Sequence, residues 1–376
     1  VECETKIAYI CVMTLETEIK NRIRESGPIT IADYMELCLS HPQFGYYIKQ
    51  DPFGERGDFI TAPEICQIFG ELIGIWCADL WVQSGGGAMA LVELGPGRGT
   101  LMQDALRATR NIPEFHNHLN VQMVETSPVL QTAQFYALQN AHDRIEWEES
   151  IDNLPETPAI IIANEFFDAL PIRQYVQTKD GLKERCVGID SESNELCILQ
   201  QAPGLSLVSG GEGIAEGTVI ESSQAGKAVM HKLCEHLKEF GGAALIIDYG
   251  YLGAAHQDTL QAVKNHAFHP VLKDPGDADL TAHVDFATLR EVAESHGCAV
   301  SGPVDQGPFL VRMGAEARVG ALLQDATEEQ GMELIEGAKR LIDPNQMGTL
   351  FKVMAITADH QLTPAGFDAD PFDNAE

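Results

Sequence analysis

Short apolar runs recur through the middle and end of the chain, at residues 90–94 (ALVEL), 119–125 (LNVQMVE), 144–147 (RIEW), 159–163 (AIIIA), 243–248 (AALIID), 298–302 and 350–357 (LFKVMAIT). Runs this short and this continuous suit parallel strands covered on both faces rather than half-exposed ones. Stretches with helical spacing lie between several of them, at 100–109, 127–140 and 222–239. The alternation predicts an α/β chain with a doubly wound, mainly parallel sheet. Two segments interrupt it. Residues 172–221 read as extra short strands with turns, including the glycine-rich LVSGGEGIAEG, and residues 251–297 form a long excursion before the sixth strand. Both read as insertions, and no internal repeat is present.

The N-terminal quarter reads as helical. Leu15, Ile19 and Ile23 fall on one helical face, and Thr30 with Asp33 forms a capping box that opens IADYMELCL. A polar, Gly- and Pro-rich loop with five aromatics follows at 41–63, long enough to ask for a functional explanation. Thr61 and Glu64 then read as a second capping box, opening one apolar helix, EICQIFGELIGIWCADLWVQ.

With 376 residues, 44% of them hydrophobic, the chain can bury a sizeable core. Its net charge of −31 repels nucleic acid and anionic membranes, and favours basic partners or simply solubility. No apolar run reaches the length of a membrane span. The first dozen residues, VECETKIAYICV, lack the flanks of a signal or transit peptide, and Met13 is an alternative start. Nine cysteines without a C-x-x-C pair suit free thiols in a reducing compartment.

The first strand runs directly into Gly95-Pro96-Gly97-Arg98-Gly99, and Thr100 opens the helix TLMQDALRA. Such a turn lets a nucleotide cofactor approach the backbone, although an ordinary α/β turn reads the same way. A dinucleotide fingerprint, G-x-G-x-x-G, needs a third glycine at 100, where Thr100 stands. G-x-G-x-G preceded by Glu93 suits S-adenosylmethionine (SAM) better, because SAM has no pyrophosphate to seat on a helix N-terminus. A nicotinamide-dependent oxidoreductase is correspondingly disfavoured.

Ligands of open α/β sheets bind beyond the carboxyl ends of the strands. The second strand ends in Glu125, which can accept from ribose hydroxyls or simply sit solvated before a helix. The third ends in Glu146-Trp147-Glu148, where Trp147 can lie beside an adenine or serve as packing. The fourth ends in Asn164-Glu165, with Asp168 on the same face if a helical turn begins there. A carboxylate pair beside a methyl donor can orient a guanidinium and take its proton, whereas Asn and Asp at such a junction also serve as caps. Asp248-Tyr249-Gly250 closes the fifth strand. His266, His269, His283 and Asp285 match no ligand spacing, so no metal is expected.

The ordered motifs GDFITAPEI (57–65), ELGPGRGT (93–100), NEFFDALP (164–171), DYG (248–250), LTAHVDF (280–286), QGPFLVRMG (306–314) and DPNQMGTLFKVMA (343–355) together resemble the MidA family. These are class I SAM-dependent methyltransferases whose mitochondrial members assist respiratory complex I assembly. The resemblance spans about residues 14–357. It implies a Rossmann-like, seven-stranded methyltransferase core over 87–359, an N-terminal helical and lid region over 1–86 and insertions at about 172–221 and 251–297, while the acidic tail over 360–376 lies outside the match and is expected to be flexible. SAM is the implied cofactor, with Glu93, Gly95, Pro96, Gly97 and Gly99 as its loop and Glu125 as the ribose acid, and the strand ends add Trp147 and Asn164 as expected contacts. The resemblance places Asn164 and Glu165 at the methyl-transfer centre, the strand-end reading adds Asp168 to the catalytic set, and Asp58, Thr61, Glu64 and Tyr249 are expected to face substrate. The implied reaction is methylation of an arginine in a basic segment of a complex I core subunit, in the cytoplasm of a bacterium or the mitochondrial matrix of a eukaryote. A SAM-binding assembly factor that holds its partner without catalysis is the alternative.

Overall fold

Seven strands form the central sheet: β1 (Met89–Leu94), β2 (Leu119–Val124), β3 (Ile145–Glu148), β4 (Ala159–Asn164), β5 (Gly242–Tyr251), β6 (Ala299–Asp305) and β7 (Phe351–Thr357). The computed structural model describes residues 13–49, 61–203, 214–253, 257–358 and 361–367. Asp58, the extension before Met13, part of the glycine-rich stretch within the 172–221 insertion and most of the expected acidic tail lie outside them. The strand order is 3-2-1-4-5-7-6, with β1 to β5 mutually parallel and β7 antiparallel to both neighbours. Val284 and Asp285 add a short parallel pairing at the end of β5. Every residue of β1 and β4 is buried, as their unbroken apolar runs require. β3 is one edge strand and stays partly exposed, in keeping with its sequence IEWE, and β6 is the other.

The eight longest helices among the described residues are α1 (Leu15–Ser26), α2 (Ile31–Ser40), α3 (Ile68–Gln83), α4 (Thr100–Ala108), α5 (Pro128–Leu138), α6 (Gln224–Phe240), α7 (Phe286–Ser295) and α8 (Glu328–Ile342). One face of the sheet buries Leu91, Ile160 and Leu245 against Phe69 and Trp76 of α3, Leu101 of α4 and Leu341 of α8. The opposite face buries Val92, Ile161 and Ile246 against Met230 and Leu233 of α6 and Leu289 of α7. Alternate residues of one strand therefore feed two cores, which is the doubly wound arrangement.

The inserted segments form two further sheets. Arg173–Thr178, Gly181–Ile189, Leu196–Gln201 and Val219–Ser222 pair antiparallel, and Ile29 joins them opposite Val187. Gln261–Lys264, Ala267–His269 and Asp279–Thr281 make a small three-stranded sheet. A third apolar cluster holds both to the N-terminal helices through Ile19, Tyr34, Met35, Val187, Ala262 and Leu280.

Several local expectations are met and others are corrected. The capping box of Thr30 and Asp33 is formed in both directions. The second box is not: the Thr61 side chain makes no capping bond, and the expected single helix is a turn at Ala62–Ile65, a break at Cys66 and Gln67, then α3. Glu64 cannot close the box because its carboxylate is bonded to the Thr100 hydroxyl instead. Helices Gln306–Arg312, Ala315–Leu322 and α8, between β6 and β7, were not read from the sequence, nor was the short helix Tyr46–Lys49 in the aromatic loop. The seven cysteines among the described residues are free, and no helix there is long and apolar enough to cross a membrane.

The helix that carries the glycine turn is held by close backbone approach. A Cβ on Gly74 of α3 would lie 2.6 Å from the Cα and carbonyl oxygen of Ala105 on α4, and one on Gly70 would lie 2.7 Å from the Asp104 Cβ. Buried Glu71 on the same helix accepts from Arg107 at 2.8 Å and Arg318 at 2.7 Å. Gly74→Ala is expected to push α4 outward at a cost of about 1–3 kcal/mol. Urea unfolding would show this as a lower midpoint with an unchanged slope, and an unchanged midpoint would count against it.

Candidate functional site

The chain runs outward from β1 through β2 to β3 and then returns to place β4 on the other side of β1. The sheet reverses direction of growth there, which opens a crevice beyond the carboxyl ends of β1 and β4. Leu94-Gly95 and Asn164-Glu165 stand at its two lips. The turn after β1 has positive φ at Gly95 (59°), Gly97 (54°) and Gly99 (82°), and Gly99 is the left-handed N-cap of α4. Backbone of this shape presents its amides to a ligand without Cβ obstruction.

Acceptors converge on this turn. Glu93 is buried, bonded on one side by the Met102 amide, and its Oε2 has no partner among the described residues. Burial, with a lesser push from the Glu125 charge, raises its carboxyl to about 8. Asn164 Oδ1 is likewise buried and unpartnered. Both residues line a small cavity under the turn with Gly95, Pro96 and Gly97. Past β2, Glu125 Oε1 accepts from the Ser127 amide at 2.8 Å and Oε2 from Gln134 Nε2 at 3.2 Å, and burial raises it to about 7.

Gln134, in the middle of α5, also donates to the Gly97 carbonyl at 2.7 Å and accepts from Trp147 Nε1 at 2.9 Å. It ties the glycine turn, the acid of β2 and the tryptophan together, yet its sequence context, QTAQF, gives no warning. Trp147 itself lines neither cavity. It packs behind Gln134 in the α3 and α4 core, which corrects the expectation of a ring laid directly on a ligand.

The segment after β4 is also corrected. Residues 165–170 are an irregular turn, so Glu165 and Asp168 do not share a helical face. Glu165 has φ of 48°, rare for a residue with a Cβ. Asp248, fully buried at the end of β5, holds the turn: its Oδ2 accepts from the amides of Phe167 (3.0 Å) and Asp168 (3.2 Å), and its Oδ1 from that of Tyr249 (2.9 Å). Glu165 Oε1 accepts from the Ala62 amide at 3.0 Å and Asn164 Nδ2 at 3.3 Å. Deeply placed but open toward the cleft, Glu165 is raised to about 7, first by burial and then by the nearby Asp168 charge.

A cleft of about 740 Å³ joins these groups, with Gly95, Gly97 and Glu125 at one end and Glu165, Asp168 and Tyr249 at the other. The Tyr249 hydroxyl donates to Asp168 Oδ2, and burial raises both groups. Thr61 lines the cleft. Glu64 borders only the small cavity, where it bonds Thr100 and lies 3.8 Å from Arg98. The cleft also takes Tyr47, Asp279 and Arg340. Tyr47 lay in the aromatic loop and Asp279 directly before LTAHVDF, but nothing marked Arg340 on α8. Of the four residues weighed as a metal set, His269 pairs with Asp274 at 3.3 Å, Asp285 caps α7, His283 lines the cleft, and His266 has φ of 59°.

The residues fit SAM. Unpartnered buried acceptors of Glu93 and Asn164 beside an open-backbone turn suit a cationic amine, and Glu125 has lone pairs to spare for ribose hydroxyls. Fold and site together define a class I SAM-dependent methyltransferase. Residues 72–304 match the family model described as "Putative S-adenosyl-L-methionine-dependent methyltransferase", and the chain belongs to this family, the MidA-like group its motifs resemble. It is 38% identical over 370 residues to "Protein arginine methyltransferase NDUFAF7, mitochondrial" of Xenopus laevis, covering 91% of this chain and 84% of that one. The protein of the same name from Homo sapiens is 35% identical over 373 residues, covering 91% and 82%. Among solved structures, a Burkholderia thailandensis protein bound to S-adenosyl-homocysteine is similar with a TM-score of 0.81 and 27% identity, over 94% of this chain and 92% of that one.

Raised carboxyls set a pH dependence with a definite sign. Glu93, Glu125 and Glu165 have folded values of about 8, 7 and 7, above the ordinary carboxylate range. Their contribution to stability is complete in acid and is lost as pH rises through 7 to 8. The ligand-free protein is therefore expected to lose stability to urea between pH 5 and 8. SAM should bind more tightly at pH 7.5 than at pH 6, because ionised acids meet its positive charges. Calorimetry showing equal or weaker affinity at the higher pH would contradict this.

Proposed function

We propose that this chain is a protein arginine methyltransferase in which Glu93, Asn164, Glu125 and the turn at Gly95, Pro96, Gly97 and Gly99 hold SAM. When bound, SAM supplies an electrophilic methyl group on its sulfonium. Glu165 and Asp168 then serve the recipient nitrogen. A guanidinium, with a pKa above about 12, carries no available lone pair until a proton is drawn away. Glu165 accepts that proton, and its raised value makes it a stronger base than an ordinary carboxylate. Asp168, oriented by Tyr249, holds the planar group for in-line attack. Asp248 keeps both residues in place through the amides of the 165–168 turn.

One observation carries this reading: a single cleft contains both the glycine turn and a cluster of carboxylates beside it. The names of the similar frog and human proteins support an arginine recipient. They also support a mitochondrial setting for a chain of eukaryotic origin. The family resemblance extends the recipient to a basic segment of a complex I core subunit. Mass spectrometry of complex I subunits from a deletion strain tests this. An arginine that loses its methyl groups and regains them with the wild-type gene supports it, and an unchanged methylation map refutes it.

Charge adds a further expectation. A protein of net charge −31 with an acidic cleft should bind an arginine peptide several-fold more weakly at about 0.5 M salt than at about 50 mM, through screening. Peptide affinity that does not move with salt would count against electrostatic recruitment.

A further inference from the structure

The recipient end of the cleft holds two tyrosine–carboxylate pairs. The Tyr249 hydroxyl donates to Asp168, and the Tyr47 hydroxyl donates to Asp279 Oδ1 at 2.8 Å. All four residues line the same cleft as Glu165. Asp168 is only 5% exposed, and its second oxygen, Oδ1, has no partner among the described residues. The two pairs are neighbours: the Ala282 amide, just past the strand that Asp279 begins, donates to the Asp168 carbonyl at 3.0 Å.

These pairs come from different parts of the chain. Asp168 follows β4 and Tyr249 lies near the end of β5, both in the catalytic sheet. Tyr47 lies in the N-terminal turn Tyr46–Lys49, and Asp279 begins the last strand of the small inserted sheet. The third apolar cluster fixes these outer elements to one another through Ala262, Leu280 and the helices α1 and α2, and Tyr47 packs against that cluster. A buried oxygen without a donor, as Asp168 Oδ1 is among the described residues, is costly to maintain. A planar cation with several N–H donors in fixed directions can satisfy two carboxylates at once, which a single ammonium does less well.

Resting on the arginine reading above, we propose that Asp279, oriented by Tyr47, forms the second wall of a guanidinium pocket whose first wall is Asp168 with Tyr249. The catalytic sheet then supplies the base and one wall, while the N-terminal region and the insertion supply the other. Asp279 selects the recipient side chain and leaves cofactor binding to the glycine turn.

The test uses the full-length protein, SAM, and paired peptides that differ only in arginine or lysine at the acceptor position. Asp279→Asn is expected to raise KM for the arginine peptide at least tenfold. Its kcat should stay within about threefold and its SAM affinity by calorimetry within twofold of wild type. Tyr47→Phe should move KM in the same direction by a smaller factor. It also keeps the question decidable if Asp279→Asn fails to fold. Free L-arginine should compete with peptide for wild type and compete less well for either variant. An active wild type whose variants keep its KM and its L-arginine competition overturns this inference and leaves the arginine reading standing. A SAM-binding wild type that methylates no arginine peptide overturns both. Lost SAM affinity in a folded Asp279→Asn would make the residue structural and overturn the inference alone.

Discussion

Glu165→Gln is expected to lower methyl transfer by about 10²–10⁴-fold, the usual range for loss of a general base, while SAM affinity changes little. The substitution preserves the shape of a side chain that accepts from the Ala62 amide and from Asn164, so the turn after β4 should survive. It removes the group raised to about 7 that can accept a proton at neutral pH. Single-turnover methylation of an arginine peptide, with SAM binding by calorimetry in parallel, measures the two effects separately. Undiminished turnover would remove Glu165 from the chemistry. Lost turnover with fully retained partner assembly in cells would instead make holding the partner, rather than methylating it, the essential task.

Gly95→Val should nearly abolish cofactor binding without unfolding the protein. Gly95 sits at φ of 59°, where a residue with a Cβ is strained by about 1–2 kcal/mol and a β-branched one by more. A Cβ there would also lie 3.0 Å from the Phe166 ring, so the turn must shift to admit the side chain. Because the lost geometry is the one that presents the backbone to SAM, a total near 3 kcal/mol corresponds to about a 100-fold weaker affinity. Calorimetry together with thermal unfolding of the ligand-free protein tests this. Wild-type affinity would mean that the turn does not touch the ligand.

How far the sequence could be read followed from the kind of constraint at each place. The central strands were legible because they are short apolar runs buried on both faces, a pattern that survives without knowledge of partners, whereas the edge strands β3 and β6 are only partly buried. The glycine turn was legible because positive φ at 95, 97 and 99 demands glycine at those positions. Asn164, Glu165 and Asp168 could be placed at the mouth of the site from strand ends alone. Their mutual geometry could not, because the turn they occupy is set by Asp248, 80 residues downstream of Asp168. The second capping box failed for a similar reason: Glu64 and Thr61 have the right spacing, but the Thr100 hydroxyl at the start of α4 bonds the carboxylate. Gln134 and Asp279 were invisible because their roles exist only once distant segments meet, and neither residue type is unusual in its local run.

The third apolar cluster separates two kinds of evolutionary freedom. Substitutions among Met35, Val187, Ala262 and Leu280 can tilt the outer wall of the cleft without passing through the cores that support the glycine turn. A lineage can thus change its client protein by reshaping one module while inheriting its alkylating machinery intact.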